Sequence, residues 1–200
     1  MRYLFVQGEN RGYKVALLFN EKGRFLANGV PSTSLSEAEI TLMKVISKHV
    51  RSYRACFHPL NSELEVKVSN LVELLILIFL GEIEPTSTLI LREFPIEDHP
   101  WLNAREVQVI KYLLRVPLGK VTSYKQVSKA VGLTPRAIAR IMAKNPYPVV
   151  YPCHRVIHTD GYIGGYLGSR EFMNLKRALL VREGVIVKRY KVDKGFFISF

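Results

Sequence analysis

One cysteine in the C-terminal half of the chain has neighbours that could make its thiol reactive. Cys153 lies between Pro152 and the dipeptide His154-Arg155. Nearby cations lower the pKa of a thiol and increase its thiolate fraction, and a histidine can take up the thiol proton. These residue types predict a nucleophilic cysteine with His154 as its base. The alternative is a small core residue, which is the commoner fate of a lone cysteine and is favoured by composition alone.

Shortly before this cysteine, the sequence predicts two short helices joined by a tight turn. Ser123 and Gln126 form a capping-box pattern that opens the first helix, and Gly132 ends it. Thr134 is the N-cap of the second helix, which has proline at its first position and ends before an Asn-Pro dipeptide. This arrangement over residues 123–144 is typical of a helix-turn-helix.

The second of these helices has a basic face. Arg136, Arg140 and Lys144 follow a spacing of i, i+4 and i+8, so they share one side of the helix. Many helix pairs of this kind do not touch DNA, but an exposed basic stripe predicts phosphate contacts. The opposite face is apolar and carries Ile138, Ile141 and Met142.

The charge of the chain is high and unevenly distributed. The 200 residues have a formal net charge of +12. Residues 1–92 contribute a net +2 and residues 93–200 a net +10. Such an excess predicts a polyanionic partner that binds the second half, with nucleic acid as the candidate. The alternative is a lysine-rich surface of the kind that accompanies heat stability.

The first part of the chain predicts a small α+β unit. Ser36 and Glu39 form a capping-box pattern for a helix over residues 37–50. Its buried face is predicted to carry Ile40, Met43 and Ile46. Three strands at residues 3–7, 14–20 and 23–28, with a turn at Gly12, precede this helix, and an apolar helix at 66–80 follows it.

Residues 81–100 are rich in proline and predict an interdomain linker on the surface. The domains are therefore expected to be residues 1–92 and residues 93–200. The tail beyond residue 184 is expected to supply an edge strand.

Cysteine content and hydropathy predict a soluble cytoplasmic protein. Cys56 and Cys153 do not make a disulfide framework, and Cys56 is interpreted as a buried structural thiol. The first twelve residues are too polar for a signal peptide. The longest apolar run, residues 74–80, is far shorter than the roughly 20 residues of a membrane span.

A set of motifs in the second half resembles a known family. The pentapeptide Pro-Cys-His-Arg-Val at residues 152–156 follows Asn145-Pro146 and precedes Gly164-Gly165-Tyr166 and Glu183-Gly184. Together they resemble the O6-alkylguanine-DNA alkyltransferases, with a good match over residues 100–184. The resemblance implies a ribonuclease-H-like α+β domain at the N-terminus and a mostly helical C-terminal domain with a helix-turn-helix. Residues 1–92 match only in outline.

The resemblance also assigns the catalytic roles. It implies that Cys153 accepts the alkyl group and that His154 relays the thiol proton through a water to Glu183. Asn145 corresponds to an asparagine that holds the turn beside the cysteine. An anionic glutamate favours an imidazolium, which in turn favours a thiolate.

Further residues are assigned to DNA and base binding. Arg136 corresponds to an arginine that replaces the extruded base in the duplex. Tyr124 corresponds to a tyrosine that rotates the 3′ phosphate and lies near guanine N3, and Tyr166 to an aromatic residue of the pocket loop. Chemistry on a base atom requires taking the base out of the stack. Four more residues are expected to contact DNA or the base: Ser123, Ala137, Arg140 and Arg155.

Two positions depart from the family pattern. The segment from Tyr124 to Arg136 is shorter than in some relatives, so Arg140 is a rival for the inserted arginine, although the spacing from Arg136 to Cys153 fits better. Leu167 stands where many relatives have a serine that bonds guanine O6. Its backbone N–H remains a donor, but the hydroxyl is absent.

The sequence therefore predicts a monomer that repairs double-stranded DNA by single, irreversible transfer of an alkyl group from O6-alkylguanine to Cys153. The sequence leaves open whether O4-alkylthymine is a second substrate. No metal and no organic cofactor is expected, and no membrane partner. Two other functions remain to be tested: a non-catalytic DNA-binding protein that uses the same helix pair, and a Cys-His hydrolase, for which no oxyanion hole is recognisable.

Overall fold

A computed structural model describes residues 3–49, 55–56 and 62–198. The protein has an α+β fold, in which a small sheet with two long helices is followed by a helical part with short strands. Within these ranges no helix is long and apolar enough to cross a membrane.

The N-terminal sheet has the strand order β3-β2-β1-β4. The antiparallel strands β1 (Tyr3–Asn10) and β2 (Tyr13–Asn20) confirm the predicted hairpin, with Gly12 at φ 75° in its turn. Strand β3 (Phe25–Asn28) pairs antiparallel with β2, and β4 (Ala55–Cys56) pairs parallel with β1. The side chain of Cys56 lies outside the described residues, so its prediction as a buried thiol is untested.

Helix α1 (Leu35–Ile46) packs on β2, but its cap and buried face differ from the prediction. The N-cap is Ser34, and the predicted capping box of Ser36 and Glu39 is absent. Ile40 is 55% exposed, which contradicts its predicted burial. Packing against β2 and β3 decides which residues are covered, and those are Ala38, Thr41, Leu42, Val45 and Ile46.

Helix α2 (Ser62–Leu80) confirms the predicted apolar helix and begins four residues earlier. It packs on β1 through its buried positions. These are Val68, Leu71, Val72, Leu75, Ile76, Ile78 and Phe79.

Residues 81–100 do not form a surface linker, which corrects the prediction. They contain helix α3 (Thr88–Glu93), and Phe94 and Ile96 are completely buried. The ring of Phe94 lies 5.9 Å from the rings of both Phe25 and Tyr147. The segment therefore joins the two parts of the chain in one continuous hydrophobic core.

The C-terminal part consists mainly of short helices. Helix α4 (Ala104–Tyr112) begins with a capping box formed by Asn103 and Glu106. Strands β5 (Thr122–Ser123) and β6 (Val156–Ile157) pair in parallel. Helices α5 (Tyr124–Val131), α6 (Pro135–Met142) and α7 (Met173–Arg182) complete this part. The tail forms the antiparallel pair β7 (Val187–Lys188) and β8 (Lys191–Val192).

Candidate active site

Helices α5 and α6 have the predicted caps. The Ser123 side chain accepts a hydrogen bond from the backbone N–H of Gln126, and the Gln126 side chain accepts one from the backbone N–H of Ser123. Gly132 ends α5 in the left-handed conformation at φ 66°, where glycine carries no steric penalty. Thr134 then caps α6. Two adjacent helix ends are thus fixed by local sequence signals.

The basic face of α6 is shorter than predicted. Arg136 and Arg140 are exposed. The Nζ atom of Lys144 lies 2.5 Å from Oε1 of Glu106 on α4. Because this ion pair neutralises Lys144, the free positive charge of the helix resides on the two arginines. The apolar residues opposite are buried as predicted: Ile138, Ile141 and Met142.

The turn that carries Cys153 is a single 3₁₀ turn, Cys153–Arg155, directly after Pro152. The Cys153 thiol is buried, and burial raises its pKa. A hydrogen bond from Asn145 Nδ2 at 3.4 Å and the charge of Lys176 act in the opposite direction. The predicted lowering of this pKa by neighbouring cations is therefore wrong for the resting site, because desolvation outweighs the charges.

Asn145 connects the cysteine to the preceding loop. Its Nδ2 donates to the carbonyl of Tyr151 at 2.8 Å as well as to Cys153 Sγ. Its Oδ1 accepts from the backbone N–H of Tyr147 at 3.1 Å. Since Asn145 is buried and uses both ends of its amide, it fixes the position of the thiol.

A buried ionic network lies behind the cysteine. Nε2 of His154 lies 2.7 Å from Oε1 of Glu183, and Nδ1 of His154 has no hydrogen-bond partner among the described residues. Burial lowers the pKa of His154, although Glu183 opposes this. Burial also raises the pKa of Glu183, but His154 and Arg155 outweigh it and bring the value to about 2. The resting site therefore pairs a neutral imidazole with an ionised carboxylate.

Arg155 belongs to this network and not to the surface. Its Nε and Nη2 donate to the two carboxylate oxygens of Glu183 at 2.9 Å, and Nη1 donates to the carbonyl of Val116 at 2.6 Å. The side chain is 4% exposed. Its predicted role in DNA binding is wrong, because a guanidinium with these partners cannot reach DNA.

Cys153 borders a pocket of about 460 Å³. Tyr124 on α5 and the adjacent residues Tyr166 and Leu167 of the loop after β6 also line it, as does Arg136 on α6. Ser123 is buried and uses its hydroxyl as a cap, so it does not reach this pocket. Ala137 lies half-buried on α6 and does not line it.

Both tyrosines of the pocket hold their protons. Burial, with a smaller effect of Cys153, raises the pKa of Tyr124 to about 12. Burial, with smaller effects of the neighbouring Cys153 and Glu183, raises the pKa of Tyr166 well above its ordinary value. The Tyr166 hydroxyl is buried and makes no hydrogen bond within the described part of the chain. Each phenol is therefore available as a hydrogen-bond donor at neutral pH.

The loop after β6 is shaped by glycines. A Cβ at Gly165 would lie 2.6 Å from the carbonyl oxygen of Ser169, too close for any side chain. Leu167, the residue that departs from the family pattern, adopts a positive φ of 49° and lines the pocket. An L-residue in this region is strained, and such strain occurs at ligand sites.

Lys176 on α7 is a pocket residue that the sequence analysis missed. It is 1% exposed, and its Nζ donates to the carbonyls of Val156 at 2.7 Å and Gly165 at 3.4 Å. Burial lowers its pKa to about 7, which Cys153 partly opposes. The available signal was its spacing: it precedes the buried Leu179 and Leu180 by three and four residues, which places a lysine on the apolar face.

The structure thus brings most of the predicted residues together around one pocket. Asn145 bonds the Cys153 thiol, and His154, the next residue in the chain, bonds Glu183. Tyr124, Tyr166 and Arg136 line the pocket. Within the ranges given above, no group of His, Cys, Asp or Glu could hold a metal ion. The pocket thus presents a thiol and two phenolic donors, and the neutral imidazole of His154 follows the cysteine directly in the chain.

The fold and site define an α+β protein with a cysteine pocket beside an exposed basic helix. Residues 104–185 match the family described as "6-O-methylguanine DNA methyltransferase, DNA binding domain". Over this segment, which holds the cysteine turn and the pocket loop, the chain is similar to O6-methylguanine DNA methyltransferases.

Individual relatives are similar to a part of this chain. A methylated-DNA–protein-cysteine methyltransferase of Pyrobaculum aerophilum is 45% identical over 75 residues, 38% of this chain and 49% of the relative. A methylated-DNA–protein-cysteine methyltransferase of Saccharolobus islandicus is 49% identical over 79 residues, which cover 40% of this chain and 50% of the relative. The chain thus spans about half the length of these curated relatives. The O6-methylguanine-DNA methyltransferase structure of Pyrococcus kodakaraensis has a TM-score of 0.61 at 27% identity, covering 92% of this chain and 99% of that one.

Proposed function

We propose that the protein repairs DNA by transferring the alkyl group of O6-alkylguanine to Cys153, once per molecule and irreversibly. The observation that carries this proposal is the position of the Cys153 thiol at a pocket, with the His154–Glu183 pair behind it. The family match over residues 104–185 supports the same reaction. The names of the relatives describe methyl transfer to a protein cysteine.

The reaction begins with transfer of the thiol proton. Nδ1 of His154 is the free acceptor of the neutral imidazole, and an intervening water carries the proton to it. The imidazolium that forms is stabilised by Glu183, 2.7 Å from Nε2. The resting thiol and imidazole are both neutral, so this step occurs when substrate fills the pocket. It yields the thiolate, which is the nucleophilic form.

Alkyl transfer is then an in-line displacement. The sulfur of Cys153 forms a bond to the alkyl carbon while the bond from that carbon to O6 breaks, and its electron pair stays with guanine. Tyr124, whose pKa of about 12 keeps it protonated, donates a hydrogen bond or proton at guanine N3. The product is a thioether on Cys153. Because the carbon–sulfur bond of a thioether resists hydrolysis, each molecule reacts once.

The helix pair α5–α6 is proposed to be a DNA-binding helix-turn-helix, spanning about residues 123–144. Its second helix enters the minor groove, and Arg136 fills the gap left by the extruded base. Support comes from the exposure of Arg136 at the N-terminal end of α6 and its place at the pocket edge. Extrusion from the stack costs a few kcal/mol, and an inserted side chain recovers part of it.

We assign residues 1–92 to a ribonuclease-H-like domain and residues 93–200 to the DNA-binding and acceptor domain. The parallel pairing of β4 beside β1 and the order β3-β2-β1-β4 support the first assignment. The protein is further proposed to act as a cytoplasmic monomer, with double-stranded DNA as its partner.

Mixing the protein with duplex DNA that carries radiolabelled O6-methylguanine tests the reaction. At most one equivalent of label should move to the protein, and Cys153→Ala should abolish the transfer. Cys56→Ala is the matched control and should transfer normally. DNA binding without transfer would indicate a non-catalytic binding protein, and repeated turnover would indicate a hydrolase.

A further inference from the structure

The basic face of α6 lacks a free charge at its C-terminal end. Lys144 should extend the row of Arg136 and Arg140, but it pairs with Glu106 at 2.5 Å. The free cations on this face of α6 are therefore Arg136 and Arg140.

The N-terminal unit docks at this same end of α6. Nε2 of His49 lies 3.1 Å from the carbonyl oxygen of Lys144. The His49 ring also stacks on Trp101, with centroids 4.6 Å apart and an interplanar angle of 12°. These two contacts fix the segment that follows α1 against the start of the C-terminal part.

The residue before His49 is a lysine that reaches the pocket loop. A Cβ at Gly168 would lie 3.4 Å from both Cε and Nζ of Lys48 and 3.2 Å from Cβ of Ala143. Gly168 and Ala143 both line the pocket that Cys153 borders. The Lys48 ammonium therefore lies at the pocket mouth, beside the C-terminal end of α6.

No carboxylate among the described residues neutralises the charge of Lys48. Its side chain is exposed, and it forms no ion pair with any carboxylate of the described residues. In contrast, Lys144 beside it and Lys111 on α4 each hold a glutamate at 2.5 Å. Lys48 is thus an unpaired cation at the place where the row on α6 lacks one.

We propose that Lys48 binds a DNA phosphate at the mouth of the pocket, so that the N-terminal unit supplies part of the DNA-binding surface. This proposal rests on the proposed function. It departs from the expectation that residues 93–200 alone provide DNA affinity. Lys48, Arg140 and Arg136 then form one cationic row that crosses from the N-terminal unit to α6.

The salt dependence of non-specific duplex binding tests this contact. Each neutralised phosphate contributes about 0.9 to the slope of log K against log salt. Lys48→Gln should reduce the slope by about that amount, and Lys48→Arg should retain it. Lys22→Gln, which removes an equal charge from an exposed turn of the same unit, should leave the slope unchanged. Thermal unfolding of each variant checks the fold.

Two results would overturn the proposal, and a third would also overturn the proposed function. Equal losses in Lys48→Gln and Lys22→Gln would mean that net charge matters and position does not. An unchanged slope in Lys48→Gln, together with a reduced slope in Arg140→Gln, would reject this contact alone. If Arg140→Gln also left the slope unchanged, α6 would not be a DNA-binding surface and the proposed function would fail with it.

Discussion

His154 and Glu183 form a direct buried contact, with Nε2 of the imidazole 2.7 Å from Oε1 of the carboxylate. Arg155 binds the same carboxylate through two donors, so one glutamate serves both the imidazole and a buried guanidinium. The His-Arg dipeptide that follows Cys153 is therefore held from α7, 28 residues further along. This contact links the stability of the fold to the protonation of the site.

Glu183→Gln should destabilise the protein by about 3–5 kcal/mol at pH 7, because it leaves the buried Arg155 with only the more distant Glu84, 4.0 Å away, as its counter-charge. The folded pKa of Glu183 is depressed to about 2, so its stabilisation is present above about pH 4.5 and lost as the pH falls towards 2. Chemical denaturation between pH 7 and 2 should show the difference between wild type and variant shrinking across that window.

Glu97→Gln is the matched control, since Glu97 forms an exposed ion pair with Lys111. Its effect should stay below about 1 kcal/mol. A loss as small in Glu183→Gln would contradict the role assigned to the buried network.

Lys176→Met should remove a pH dependence of stability. Burial lowers the folded pKa of Lys176 to about 7, whereas an unfolded lysine titrates near 10.5. The unfolded state then binds more protons between these values, so wild-type stability should rise from pH 7 towards 10.5. Measured by denaturant unfolding, the free energy of unfolding of Lys176→Met should vary less with pH than that of wild type. Lys191→Met, on the exposed β8, should keep the wild-type pH dependence. Identical profiles in wild type and Lys176→Met would show that Lys176 stays charged.

Asn145→Asp should raise the pKa of Cys153 further and slow its reaction. The substitution places a carboxylate where Nδ2 now donates to Sγ at 3.4 Å, and a like charge disfavours the thiolate. The rate of thiol alkylation by iodoacetamide as a function of pH should shift upward by about one unit. Asn174→Asp, at an exposed site on α7, should match wild type. An unchanged pH profile in Asn145→Asp would exclude control of the thiol by this amide.

Arg136→Ala should slow repair in duplex DNA far more than reaction with free O6-benzylguanine. The free base needs no extrusion, so it does not depend on a side chain that fills the gap in the stack. Single-turnover rates with both substrates measure the difference. Arg140→Ala is the comparison, because Arg140 is exposed on the same helix but does not line the pocket. A duplex-selective loss in Arg140→Ala alone would make Arg140 the inserted residue.

The sequence determined those features whose causes lie within a few residues. The caps at Ser123 and Thr134 and the left-handed Gly132 have the predicted geometry, because each signal acts on the adjacent backbone. The strands of the β1–β2 hairpin and the apolar helix α2 follow from local periodicity in the same way. The motif around Cys153 could also be recognised from the sequence, since its residues are consecutive in the chain.

Only the tertiary structure decided which charges remain free and which groups lose water. Lys144 is neutralised by Glu106, 38 residues away, and Arg155 is buried against Glu183. The raised pKa of Cys153 and the burial of Lys176 follow from desolvation by the surrounding segments. Lys48 reaches the pocket loop only because the N-terminal unit docks on α6. Charge pairing and desolvation depend on distances between residues far apart in the chain, and folding alone sets those distances.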